Sequence, residues 1–173
     1  MPKTLAEPVR DPRTDHLLTP QNCVVVLSTV GVDMGVNKGT IAAIRQVLPT
    51  VPEIDRTGVN SWEDEDFRDA VQATGRRKVV IGGLWTEVCL AFPVLDMLAE
   101  GYEVYPVADA VGGISPVSHQ RAFDRMIQAG ARPVTAISFG SELMRNWARE
   151  TSDRFRKVLQ WYFAERRKLQ GKA

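Results

Sequence analysis

The chain has 173 residues, 44% hydrophobic and 25% charged, which fits one globular domain with its own core. A formal net charge of +1 argues against a polyanionic partner such as nucleic acid. No apolar stretch reaches the ~18 residues needed to span a membrane as a helix.

The charge is uneven. Residues 145–173 hold nine Lys/Arg against three Asp/Glu, a local +6 that leaves −5 for residues 1–144. The two cysteines, Cys23 and Cys89, do not make a disulfide framework, so a reducing cytoplasm is the expected setting. Residues 1–13 are polar and proline-bearing with no apolar h-region, so no signal peptide is expected. There is no internal repeat.

In chain order, residues 1–16 read as a flexible lead-in and Leu17 to Asn22 as a turn approach. Cys23 to Val30 is apolar and β-branched, a buried strand. A loop with two glycines, 31–38, leads to a short helix over Thr40–Leu48 with Ile41, Ile44 and Leu48 on one side. Residues 49–57 are irregular. Ser61 reads as the N-cap of a helix to about Ala73, with Asp64 three residues on and acidic residues through its first turn. Lys78–Leu84 is a strand, Cys89–Glu100 a helix and Tyr102–Ala108 a strand. Ser118–Ala129 is a helix closed by Gly130, Val134–Phe139 a strand, and Ser141 to about Leu169 helical nearly throughout. Strands alternating with helices predict an α/β fold, a doubly wound and mostly parallel sheet with helices on both faces. The expected organisation is a lead-in (1–16), one domain (17–150) and a basic C-terminal helix (151–173) belonging to that domain or to an oligomer contact.

Gly83-Leu84-Trp85-Thr86-Glu87-Val88-Cys89 is the most informative stretch. It follows the apolar run 78–82 and opens the helix-compatible run 90–100. A cysteine at a helix start meets unpaired backbone N–H groups and the positive end of the helix dipole. Both favour a thiolate, and the same N–H groups can bind the oxyanion formed when a thiolate attacks a carbonyl. The other reading of Cys89 is a small buried residue closing the strand–helix packing.

Gly83 to Pro93 resembles the nucleophile segment of the isochorismatase-like cysteine hydrolases, in particular the YcaC-related branch. Ile54-Asp55-Arg56-Thr57, Asn60-Ser61-Trp62-Glu63-Asp64, Gly101 to Ala110 and Arg125 to Ala131 resemble that branch in the same order. The resemblance covers roughly residues 17–150 and implies the family's Rossmann-like three-layer sandwich. It implies that Cys89 is the nucleophile and Arg56 its basic partner, where other branches place a lysine. It also implies a cis peptide at the Trp85-Thr86 turn that points N–H groups at the oxyanion. The candidate oxyanion and substrate-binding residues are then Trp85, Thr86, Glu87, Asn60 and Trp62, with Trp62 and Phe92 also readable as core. Isochorismate hydrolysis itself is not implied, because in this superfamily it does not use the cysteine.

One part of the pattern is missing. Family members carry two strands before the Asp55-Arg56 region, and the first ends in a catalytic Asp. Here Leu18-Thr19-Pro20-Gln21-Asn22 runs straight into a single strand ending Leu27-Ser28-Thr29. The resemblance implies that one strand–helix unit of ~30 residues is absent together with its Asp. If the strand is counted as the first, Ser28 stands in that place, and it cannot serve as a base near neutral pH. Asp33 is a candidate replacement, since it follows a strand's C-terminal end; a solvated loop aspartate is the alternative. Arg56 stays charged and cannot shuttle a proton; a plain ion pair with Asp55 or Glu53 is its alternative.

With only His16 and His119 there is no histidine cluster, and neither a metal nor a cofactor is expected. Gly112-Gly113 reads as a pocket-lining loop or a simple turn, and Asp109 as a structural acceptor. Trp147, Phe155, Val158, Leu159 and Tyr162 form an apolar stripe for self-docking or oligomer contact. The sequence is thus read as a cytoplasmic cysteine hydrolase of a small amide or related C–N bond, impaired by loss of the Asp. The alternative is an inactive member serving as an oligomeric or small-molecule-binding scaffold. The expected partners are a small-molecule substrate and further copies of the chain, not nucleic acid or membrane.

Overall fold

The structure, a computed structural model, describes residues 16–28, 32, 33, 35 and 38–171. The lead-in expected over 1–16 lies outside these residues except for His16. The chain divides into two compact units. One spans residues 22–135; the other joins the N-terminal residues up to 21 with residues 136 onward.

The larger unit is an α/β fold on a parallel sheet. Its elements are β1 (Cys23–Ser28), α1 (Ala42–Val47), a 3-10 turn (Ser61–Glu63), α2 (Glu65–Gln72) and β2 (Lys78–Gly83). A π-helical turn (Thr86–Leu90) follows, then α3 (Ala91–Ala99), β3 (Glu103–Pro106) and α4 (Pro116–Gln128). Among the described residues the sheet has three strands in the order β1-β2-β3, both pairs parallel. β1 is built from an uncharged, β-branched run, the composition that fits a pleated surface. β2 is central, and Val79, Val80 and Ile81 are all buried, which covers both its faces. Parallel pairing places the ends of β1 and β2 side by side, with Ser28 opposite Gly83. The loops that follow the strands therefore share one edge of the sheet.

The core packs Val79, Ile81 and Val104 of the sheet against Phe67 and Val71 of α2, Val94 and Met97 of α3, and Phe123 and Met126 of α4. Each such side chain contributes roughly 1.5–3 kcal/mol by leaving water. Trp62 meets Tyr102 edge-to-face with ring centres 5.2 Å apart.

The helix starts differ from expectation. Ser61 is no α-helix cap: Asn60 caps the 3-10 turn through Trp62 N–H, and Asp64 caps α2 through Phe67 N–H at 2.9 Å. Both residues accept well at an N-cap, so two short caps replace the single box the spacing suggested. α4 starts two residues earlier than its apolar pattern, with Ser115 as cap and Pro116 in the first turn.

In the smaller unit the expected strand over Val134–Phe139 is absent. Val134 makes one parallel bridge to Val107 within the larger unit, and Ala136–Met144 is helix α5. Val134, Thr135 and Ile137 are β-branched, but Ile137, Gly140 and Met144 recur at helical spacing and that period prevails. The long helix expected from Ser141 is broken over 145–151, where Arg145 adopts φ 56°, and resumes as α6 (Ser152–Gln170). Gly140 allows α5 to meet α6, since a Cβ there would lie 2.3 Å from the Phe155 ring. Leu18 is fully buried and tied to α5: its N–H donates to Glu142 Oε2 at 2.8 Å.

Candidate active site

The end of β2 feeds a tight turn with a cis peptide between Leu84 and Trp85. The chain then enters the π turn that carries Cys89. Leu90 N–H closes onto Trp85 C=O at 3.2 Å and Ala91 N–H onto Thr86 C=O, both i→i+5. A π turn inserts one extra residue at the start of α3, a device found often at functional sites. Pro93 is accommodated because it falls in the first turn of α3, where its missing N–H costs nothing.

Within this turn Thr86 and Cys89 are buried, Glu87 is half-buried and Trp85 is half exposed. The backbone accounting is specific. Thr86 N–H donates to Gly112 C=O at 2.9 Å, and Val88 and Leu90 N–H both donate to Trp85 C=O. The Thr86 amide is therefore committed to the fold.

The 112–119 segment wraps the same turn. Leu84 bridges Gly112, Glu87 Oε1 accepts Ile114 N–H at 2.9 Å, and Thr86 Oγ1 lies 3.0 Å from His119 Nδ1. His119 was set aside in the sequence as one of two lone histidines. The signal that could have placed it is Ser115-Pro116, a cap followed by a first-turn proline, which fixes His119 in the opening turn of α4.

The other candidates fall into two further groupings. Asp33 is exposed on a turn whose Val32 and Asp33 N–H groups both donate to the Asp55 carboxylate, at 2.9 and 2.8 Å. Its neighbour Arg56 is 5% exposed, and its guanidinium donates to Gly58 C=O. Asn60 and Trp62 are anchored on α3: Asn60 Nδ2 donates to Asp96 at 2.7 Å, and Trp62 Nε1 to Glu100 at 2.8 Å. Trp62 belongs to the core.

A separate apolar cleft of about 400 Å³ lies between β1, α1 and α2, lined by Val24, Val26, Ile44, Leu48, Phe67 and Val71. It does not include the turn that carries Cys89. Glu53 at its rim accepts Thr40 N–H and pairs with Arg45, and these bonds, Thr40 first, hold its carboxyl below the usual glutamate value. Among the described residues no group of three or more His, Cys, Asp or Glu is arranged to hold a metal ion.

Comparison with known proteins places the chain in a family. The isochorismatase domain matches residues 36–138. Probable hydrolase YcaC of Escherichia coli is 39% identical over 120 residues, covering 69% of this chain and 58% of its own length. Isochorismatase domain-containing protein 2 of Xenopus laevis is 32% identical over 91 residues, 48% of this chain and 44% of that protein. The chain thus spans about half the length of the curated relatives it matches, or less. Among solved structures, YcaC of Pseudomonas aeruginosa with hexane-2,5-diol and covalent acrylamide superposes with TM-score 0.68 at 30% identity, over 78% of this chain and 86% of that one. The Escherichia coli YcaC gene product, described as an octameric hydrolase of unknown specificity, gives TM-score 0.75 at 26% identity, over 87% and 98%.

Proposed function

Because the chain belongs to the isochorismatase family, we propose that it is a cysteine hydrolase of a small amide or related C–N bond, with Cys89 as nucleophile. The observation that carries this reading is the placement of Cys89 on a π turn between the end of the central strand and α3. The Cys89 thiolate adds to the amide carbonyl carbon and the oxygen takes the negative charge. The intermediate collapses to a thioester, and the amine leaves with one proton. Water then cleaves the thioester to a carboxylate and regenerates the thiol. The Cys89 and Trp85 amides are the oxyanion donors in this reading. Arg56 is the basic partner that favours thiolate, and being permanently charged it moves no proton. Acrylamide is an electrophile for which a thiolate is the natural protein nucleophile, so the covalent acrylamide on the Pseudomonas relative supports a reactive cysteine here.

Proton transfer is the weak step. Ser28 stands at the end of β1, where the family resemblance puts an Asp, and Asp33 is the nearest candidate carboxylate along the chain. Missing a general base typically costs 10²–10⁴ in rate, so slow turnover is expected. The same absence favours the second reading, an inactive family member acting as an oligomeric or small-molecule-binding scaffold. A homo-oligomer in a reducing cytoplasm completes the proposal, since the E. coli relative is described as octameric.

Ammonia release from a panel of small primary amides decides between the two. Turnover abolished by Cys89→Ser, with an acyl adduct visible by intact mass, is the result expected of the hydrolase. No turnover above buffer, unchanged by Cys89→Ser, establishes the scaffold.

A further inference from the structure

We propose that His119 is a positioning residue for the nucleophile turn, acting through the Thr86 hydroxyl, with Glu87 and Gly113 completing the same clamp. The functional consequence rests on Cys89 being the nucleophile; the clamp itself does not.

Thr86 opens the π turn and is completely buried. Its N–H and its hydroxyl both go to one segment, the N–H to Gly112 C=O and the hydroxyl to His119 Nδ1. Glu87 repeats the pattern. Its Oε1 accepts Ile114 N–H, while Oε2 is buried with no hydrogen-bond partner among the described residues. Burying a carboxylate oxygen without a donor is costly, and close packing in this clamp holds it there. Gly113 marks how tight that packing is. A Cβ at this position would lie 2.7 Å from Glu87 Oε2, 2.9 Å from His119 Cβ and 3.0 Å from His119 N. The last two atoms are not free to give way, so only glycine fits.

His119 also reaches the core. Its ring lies 4.9 Å from that of Phe123, one turn further along α4, and Phe123 belongs to the central cluster. α4 therefore connects the packed interior to the first residue of the turn that presents Cys89. In the tautomer protonated on Nε2, Nδ1 accepts the Thr86 O–H. An asparagine at 119 offers an amide group at a similar reach, which makes it the conservative variant.

Hydrogen–deuterium exchange on the full chain, read for the peptide covering residues 84–90, tests the clamp. His119→Ala should speed exchange there about 3- to 10-fold, the weight of one hydrogen bond. Thr86→Val should do the same, the double variant no more than either alone, and His119→Asn should restore the wild-type rate. Should His119→Ala fail to fold, Thr86→Val and His119→Asn carry the test. Unchanged exchange in the foldable variants, or strictly additive effects in the double variant, overturns the proposal. Cys89 alkylation is followed in the same samples. A rate that moves with exchange supports the functional consequence. If Cys89 proves inert throughout while 84–90 still responds, the nucleophile reading fails and the clamp stands.

Discussion

Cys89 and Cys23 are almost equally buried, at 4% and 5%, so a difference in their reactivity has to come from the backbone around them. Cys23 opens a β-strand; Cys89 lies on a π turn at a helix start. The same contrast bears on Ser28. β1 delivers it opposite Gly83, three residues before the π turn that carries Cys89 begins. On the proposal that Ser28 stands in for a missing Asp, Ser28→Asp supplies the carboxylate, and amide turnover measured by ammonia release should rise about 10²-fold or more. An unchanged rate in a folded variant would contradict the view that a catalytic Asp is missing. Asn60 separates anchoring from chemistry. Asn60→Ala removes the cap on Trp62 N–H and the bond to Asp96, which should cost about 1–3 kcal/mol of stability. Thermal unfolding reads that loss, and alkylation of Cys89 at a temperature where the variant is folded should be unaffected. The turn that carries Cys89 was legible in the sequence because its signals are contiguous: an apolar run, two glycines, a cysteine, then helix-forming residues. His119 was not, because its contact with Thr86 crosses 33 positions and nothing local announces it. The same holds for Asp96, which anchors Asn60 from 36 positions away.

At the scale of elements, the alternation of strand and helix was readable from β1 to α4, since each piece keeps one period over its length. Errors came where two periods overlap. In 134–144 a β-branched start merges into a helical repeat. In 145–151 no Gly or Pro marks the break, which is instead made by Arg145 at positive φ and by Asn146 Oδ1 accepting Ala148 N–H. The caps of α2 were half-read, with the acidic residues seen and the capping residue misplaced. Asp64→Ala should lower stability by about 1 kcal/mol, whereas Ser61→Ala should not act through a helix cap; chemical denaturation of the two variants compares them. Glu53 ties Thr40 and Arg45 on the approach to α1. Its folded pKa is lowered, chiefly by the bond to Thr40. The tie is therefore fully present above the unfolded glutamate value of about 4.3 and is lost as pH falls below it. Acid titration of the 40–53 amides should show that loss. Glu53→Gln should remove the pH dependence, and an identical titration in that variant would exclude the tie.

For the whole molecule, the described sheet has three strands, and β1 leaves Val25 and Leu27 on its surface. α6 likewise exposes Val158, Trp161 and Phe163 beside a basic run. Apolar surface of this kind on a small chain calls for a partner, and self-association is the expected outcome. A specific interface should bury at least ~1,000 Å². Light scattering behind size exclusion should show an oligomer that weakens when residues 151–173 are removed. A 19.3 kDa monomer at micromolar concentration, unchanged by that deletion, contradicts it.

The central claim is that the turn after β2 makes one of two buried thiols a nucleophile. Acrylamide labelling of the intact chain at neutral pH, followed by peptide mass spectrometry over time, tests it most directly. The account predicts that Cys89 is modified first and that Cys89→Ser leaves Cys23 unmodified on the same timescale. Modification of Cys23 ahead of Cys89, or of both at one rate, would contradict it.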